Sequence, residues 1–426
     1  MKNTKKIIFC LSMLSLMTAC GPKGVKKPPI NLIDPENTSM LTDNCKLYVD
    51  DMRKEQQQYQ IEGGDIYKYY DLYGEDGVNI DEGNVADADR VYLDTGDVNG
   101  KNATVRNSTP DRSDKNMGVN LKFTVDEGHE SANYKVLLST KSSMEDAKEV
   151  TTDKNEVNFN NLFVNTQYYW KVVGENGQSD IGTFTTGDYP RWISARPVYN
   201  VRDLGGYMTQ SGKRVKQGLV FRGGEITNSA WGEHTLTNTK ESEKIFNEVM
   251  NIGVELDLRG ATDIGDGYKD YAFKPGEDRY KQHAIKSYEE TFTRTRSEVA
   301  PIFDILANAD NEHVYFHCYG GADRTGTIGF LLNGLLGVSY CDLVIDFELT
   351  SYSSINNEHI RSHIPGHQHQ YDRWPALINQ LKTDTTGGYA WDDDKLLKDN
   401  IKEFLLKACS VSEESINKIE SIMLED

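Results

Sequence analysis

Residues 313–327 read His-Val-Tyr-Phe-His-Cys-Tyr-Gly-Gly-Ala-Asp-Arg-Thr-Gly-Thr. Val314, Tyr315 and Phe316 are β-formers and predict a short buried strand. From Thr327 onward, Ile328, Phe330, Leu331, Leu332, Leu335 and Leu336 recur at helical spacing. Between strand and helix lies a tight loop, Cys318 to Arg324, with Gly320 and Gly321 inside it. A loop that runs straight into a helix aims several backbone N–H groups at one spot, and the helix dipole adds partial positive charge there. The stretch is built to hold an oxyanion, with a cysteine at its start and an arginine at its end.

Each residue type in the loop suits phosphate-ester chemistry. Beside Arg324 and a helix N-terminus, the Cys318 thiol should ionise well below its free pKa of about 8.5. The thiolate can then attack phosphorus and form a phosphocysteine. Arg324 carries a planar fork that grips two phosphate oxygens, which lysine does less well. The backbone of Tyr319, Gly320, Gly321, Ala322, Thr325 and Gly326 is the expected phosphate cradle, with glycines allowing close approach. The Thr325 hydroxyl is placed to hydrogen-bond the thiolate and later leaving sulfur, and His317 to orient the loop from behind. This chemistry calls for no metal and no cofactor. The opposing reading is a buried structural cysteine beside an incidental arginine, but an inert core thiol has no use for that arginine.

The His-Cys-x5-Arg-Thr-Gly run resembles the signature of the cysteine-dependent protein tyrosine phosphatases. Asn200-Val201-Arg202-Asp203-Leu204-Gly205-Gly206-Tyr207 narrows the resemblance to the bacterial tyrosine/serine phosphatases. Further stretches are similar to that group in order: Gly218 to Glu225, Ile252 to Arg259, Leu336 to Ser339, Asp346 to Thr350, and a last helix capped at Ser412. The resemblance implies phosphomonoester hydrolysis through Cys318 and Arg324. It offers Asp323, just before the arginine, as general acid, with Asp203 and Asp263 as alternatives. The implied substrate is a phosphotyrosyl protein or a small aryl phosphate. The family commonly has lysine where Ala322 stands, and that departure counts against a secreted phytase-like enzyme for inositol phosphates. Tyr319 and the surroundings of Tyr207 favour a flat aryl group. A binding protein on an inactive phosphatase fold is a third reading, opposed by the intact Cys318 and Arg324.

Short apolar strands at Val220-Phe221, Val254-Glu255-Leu256 and Val314-Tyr315-Phe316 alternate with helical segments. That pattern predicts an α/β domain over 190–426 with a central, mainly parallel sheet. Ligands in such sheets bind beyond the C-terminal strand ends. Arg222, Arg259 and Cys318 fall just past strand ends and are expected to support one cleft. The alternative for the two arginines is a salt bridge with Asp203 or Asp257.

At 426 residues the chain is too long for one core, so the expectation is multidomain. Over 91–187, strand signals at 119–123, 133–138, 157–159, 165–173 and 181–186 are broken by polar turns, which suits a β-sandwich. The Leu162 to Val172 run, Leu-x-x-x-Thr-x-Tyr-x-Trp-x-Val, resembles the end of a fibronectin type III module; this speaks to fold alone and makes Trp170 a core residue. Residues 1–20 are a leader: Lys2, Lys5 and Lys6, an apolar run too short to cross a bilayer, then Leu16-Met17-Thr18-Ala19-Cys20. It resembles a bacterial lipoprotein signal, which implies lipidation at Cys20, an extracytoplasmic lipoprotein on the periplasmic side, and membrane contact only through that anchor. An ordinary secretory signal is the alternative. Residues 21–90 read as a proline-containing tether and an N-terminal region without a legible fold. A net charge of −19 gives no field to hold nucleic acid. The remaining cysteines, Cys45, Cys341 and Cys409, are too scattered for a disulfide framework.

Overall fold

The computed structural model describes residues 27–58, 111, 113–226, 240–264, 279–354, 361 and 374–426. The leader with Cys20, and the tyrosine-rich and acidic stretches between 59 and 90, lie outside the described residues.

Two antiparallel sheets precede residue 187. One has the order β1-β2-β5, from Ile30–Ile33, Val119–Val125 and Glu156–Phe159. The other runs β4-β3-β6-β7, from Tyr134–Ser139 (β3), Lys148–Thr152 (β4), Gln167–Gly174 (β6) and Gly177–Gln178 (β7), with β8 (Gly182–Thr185) also on β6. Alternation along β2 sends Val119, Leu121 and Phe123 inward and Asn120, Lys122 and Thr124 outward. Both sheets contribute to one apolar cluster that includes Ile30, Phe123, Val136, Phe159 and Trp170. The Tyr168 hydroxyl accepts the Phe163 N–H at 2.9 Å, pinning the chain where it enters β6.

Two boundaries set from sequence move. Ile30–Ile33 is no part of a tether: Ile30 pairs with Val125 and is buried. Four residues between prolines carry too little alternation to announce a strand, and the partner lies far along the chain. Similarly, helix α1 (Asp43–Gln58) belongs to the core of the C-terminal unit, where Leu41, Cys45, Tyr48, Val49 and Met52 share a cluster with Phe330 and Phe347. The Tyr48 hydroxyl donates to Glu348 at 2.5 Å, and Arg53 pairs with Asp342 at 3.0 Å.

The sheet of the C-terminal unit has the order β12-β11-β13-β10-β9. Its strands are Arg202–Asp203 (β9), Val220–Gly223 (β10), Ile252–Asp257 (β11), Tyr280–Gln282 (β12) and His313–His317 (β13). The first four in space run parallel, and β9 is an antiparallel edge. Side chains of β13 alternate between two cores: Val314 and Phe316 face the larger cluster and Tyr315 the smaller. Ile252 and Val254 also go to opposite clusters, because a bulge between them shifts the register. Helices on both faces complete the layers. They are Lys240–Lys244 (α2), Ala261–Ile264 (α3), Glu289–Arg294 (α4), Val299–Leu306 (α5), Asp323–Leu335 (α6), Tyr340–Glu348 (α7), Trp374–Thr383 (α8), Leu397–Lys407 (α9) and Glu413–Met423 (α10). From Thr325 on, α6 is buried all round, as suits a central helix behind the site. Ser412 caps α10 through the Ser415 N–H at 3.0 Å, as its sequence predicts.

Arg191 clamps the two halves together. Its guanidinium donates to the Leu162 and Asn161 carbonyls at 3.0 and 2.9 Å and pairs with Asp203 at 2.6 Å.

Candidate active site

The loop that joins β13 to α6 is shaped from behind. The Tyr319 carbonyl accepts the Glu225 N–H at 2.9 Å. The Gly320 and Gly321 carbonyls accept from Asn200 Nδ2 at 3.0 and 3.2 Å, and Arg222 adds a bond to Gly321 at 2.7 Å. In a trans peptide the N–H points opposite its carbonyl. With three consecutive carbonyls turned back, the amides of residues 320–322 point forward as an anion nest. Position 321 must be glycine: φ is +65°, and a Cβ would lie 2.3 Å from the Gly223 carbonyl carbon. Ala322 offers no side-chain cap to α6, so the helix's first turn is left open to an anion. Gly326 departs from expectation. Its amide donates to the Ala322 carbonyl at 2.7 Å, closing the first helical turn, and so is spent.

Cys318 directly follows β13 and is almost wholly buried. Burial pushes its thiol up, but Arg324 and the hydroxyl and N–H of Thr325 outweigh it and hold the thiol below its ordinary value. The buried Thr325 hydroxyl makes no geometric hydrogen bond among the described residues, which leaves it free to turn to the sulfur. Cys45 and Cys409 show what burial does where an arginine's pull is too weak to offset it: Cys409 is pushed up to about 12 in spite of Arg296, and Cys45 further in spite of Arg202. Arg324 in turn pairs with Asp263 on α3 at 2.5 Å, both side chains about one-fifth exposed.

Asp323 opens α6 and is held from two sides. Tyr288 donates its hydroxyl at 2.6 Å and Arg361 its Nε at 3.0 Å. Tyr288 sits at φ +52°, an uncommon conformation for a bulky residue, and its own N–H donates to Thr327 Oγ1 at 2.9 Å. His317 braces the loop base, with Nε2 3.0 Å from Glu255 and Nδ1 3.2 Å from the Cys318 carbonyl. Burial opposes its protonation, but Asp257 and Glu255 carry its pKa above the ordinary value. Glu255, Asp257 and His317 lie within 4.8 Å of one another, a composition that can hold a cation. Arg259 already occupies Asp257, at 2.9 Å from Nε and 2.7 Å from Nη2, and His317 Nε2 occupies Glu255 at 3.0 Å.

The other expected residues divide. Arg222 lies under the loop, ion-paired with Asp346, and supports it. Arg259 pairs with Asp257 and, at 2.5 Å, with Glu225, which makes it a structural cation behind the cleft. Asp203 does not join the site. Its carboxylate is taken by Arg191 and by the N–H groups of Gly205 and Gly218 at 2.8 and 2.7 Å. Tyr207 is buried in the core, its phenol pushed well up by burial and Asp346, and offers no face to an aryl group. Tyr319 is half-buried in the loop itself. Sequence reasoning missed the roles of Asn200, Asp346, Tyr288 and Arg361. Asn200 and Asp346 stood inside quoted motifs, and a motif boundary at a polar residue was the available signal. Tyr288 and Arg361 carried none.

A family profile described as "Tyrosine phosphatase family" matches residues 193–425. No curated protein matches the chain. Among solved structures, the core catalytic domain of the PP-IP phosphatase SIW14 from S. cerevisiae, in complex with citrate, is similar at 12% identity, covering 34% of this chain and 78% of that one with a TM-score of 0.22.

Proposed function

The chain belongs to the tyrosine phosphatase family, and from that premise we propose that it hydrolyses aryl phosphates, phosphotyrosyl protein foremost, through a phosphocysteine at Cys318. The observation that carries this is the loop between Cys318 and Arg324, whose Tyr319, Gly320 and Gly321 carbonyls are held from behind so that its amides form an anion nest; the lowered thiol agrees with it. The thiolate attacks phosphorus, the S–P bond forms and the P–O bond to the aryl group breaks. Arg324 leaves Asp263 for two phosphate oxygens, and the amides of residues 320–322 take the third. Asp323 is fixed beside the loop by Tyr288 and Arg361; its protonated form gives its proton to the leaving oxygen, and the carboxylate left behind, which Arg361 and Tyr288 stabilise, then takes a proton from the water that breaks the S–P bond. The Thr325 hydroxyl steadies the departing sulfur.

Charge supports a substrate with one phosphate. Arg222, Arg259, Arg324 and Arg361 each meet a carboxylate, namely Asp346, Asp257, Asp263 and Asp323. Ala322 adds no charge where relatives place lysine. This favours a compact dianion over an inositol polyphosphate. The order of the first two sheets and the Tyr168 hydrogen bond support reading the preceding unit as fibronectin type III-like, and the leader supports an extracytoplasmic lipid anchor at Cys20. Hydrolysis of p-nitrophenyl phosphate by wild type, abolished in Cys318→Ser, tests the chemistry. Turnover of a phosphotyrosyl peptide well above inositol hexakisphosphate tests the substrate, and the reverse ranking refutes it.

A further inference from the structure

Asp114 lies in the segment leading into β2, outside the 193–425 stretch that the family profile matches. It is nevertheless 2% exposed. Its φ of +50° is a left-handed conformation that aspartate tolerates better than most residues. One carboxylate oxygen accepts the Asn200 N–H at 2.8 Å and the Ser353 hydroxyl at 2.6 Å. The other accepts the Ser354 N–H at 2.8 Å and the Ser354 hydroxyl. All four donors are neutral. Burying a carboxylate on neutral donors is costly unless every bond is made, so this is a specific arrangement and not a generic contact.

What Asp114 grips is the brace of the phosphate loop. Asn200 is fully buried at φ +59°. Its Nδ2 reaches the Gly320 and Gly321 carbonyls and also the Thr350 hydroxyl at 3.2 Å. Thr350 stands just before the two serines that Asp114 holds. The one carboxylate therefore fixes both backbone segments between which the Asn200 amide works.

We propose that Asp114 is a positioning residue for the phosphate loop: by fixing the Asn200 backbone, it holds the Gly320 and Gly321 carbonyls turned away from the bound anion. The catalytic unit as the family profile bounds it is then incomplete, and the missing part comes from the segment that leads into β2. The inference rests on the reading that the loop binds phosphate.

The test measures inhibition of p-nitrophenyl phosphate hydrolysis by inorganic phosphate in the full chain. Asp114→Asn keeps the shape but turns an N–H₂ toward donors. It should raise the phosphate inhibition constant and KM about tenfold, the loss expected for one misplaced backbone brace. Combined with Asn200→Ala it should add little to the effect of Asn200→Ala alone, since the two act in series. If the melting temperature falls while the phosphate constant stays at the wild-type value, Asp114 is only a structural clamp and the inference is overturned. If Asp114→Asn does not fold, Ser354→Ala thins the same cluster: a roughly threefold rise in the phosphate constant supports the inference, and an unchanged constant overturns it. A wild type without hydrolytic activity refutes the catalytic reading separately. Direct calorimetric binding of inorganic phosphate to wild type and Asp114→Asn then decides the inference, with equal affinities overturning it.

Discussion

Thr325→Val is the perturbation that isolates the ionisation of Cys318. Thr325 is fully buried, and valine matches its shape without the hydroxyl. Burial drives the thiol toward its neutral form, so each group that opposes burial counts. A hydrogen bond onto a charged group contributes about 1.5–3 kcal/mol. Because Arg324 and the Thr325 N–H remain, the lower end applies, and about 1.4 kcal/mol shifts the thiolate-to-thiol ratio about tenfold. The sign is fixed: losing the hydroxyl raises the Cys318 pKa, so the acid limb of kcat/KM moves to higher pH. Below that limb, turnover of p-nitrophenyl phosphate should fall about tenfold relative to wild type. Above it, formation of the phosphocysteine should be nearly unchanged, while its breakdown slows because sulfur is then the leaving group. Thr325→Ser should restore the wild-type limb. An acid limb that does not move in Thr325→Val would show that the hydroxyl does not act on the sulfur, and the account of a thiol held low against burial would need another cause.

Three further outcomes follow from other residues. Asp263→Asn frees Arg324 from a partly exposed ion pair of about 0.5–1 kcal/mol, so the inhibition constant of inorganic phosphate should fall about two- to fivefold. Gly321→Ala combines a left-handed φ with a Cβ inside the Gly223 backbone, and urea unfolding should show a loss of about 3 kcal/mol together with loss of phosphate binding. The Glu225 carboxyl is pushed up to about 7 from 4.5, by burial above all and against the pull of Arg259. Between those values the folded state holds more protons than the unfolded one, so stability falls as pH rises through that window. Glu225→Gln should flatten the dependence of melting temperature on pH across it.

Much of the catalytic unit was legible because its signals are local. Strand, loop and helix from His313 to Leu336 follow one another without interruption, and β10, β11 and β13 each announce themselves by apolar runs. The strands of the second sheet were found where inward and outward residues alternate. Lys148–Thr152 escaped because its residues are mostly exposed and polar. Ile30–Ile33 and α1 escaped for a different reason: what defines them is a partner far away in sequence, Val125 for the first and the α7 surface for the second. At the site, residues whose chemistry is intrinsic, such as Cys318 and Arg324, were readable. Those defined by what they touch were not. Asp203 and Asp346 look alike as a sequence of letters, yet Arg191 claims the first and Arg202 and Arg222 the second. Asn200 braces the loop only because the fold brings Gly320 within reach.

The four described cysteines are all buried and none is bridged. Three of them nevertheless differ in how readily they ionise, and the difference has a practical use. Cys45 and Cys409 are locked in the protonated form, whereas Cys318 is poised to shed its proton. An alkylating reagent selects anionic sulfur, so among these four cysteines the label it leaves should accumulate at Cys318 in the native protein, and denaturation should release the others. The stoichiometry of labelling before and after unfolding thus becomes a titration of intact catalytic centres, applicable to any preparation without knowing its physiological substrate.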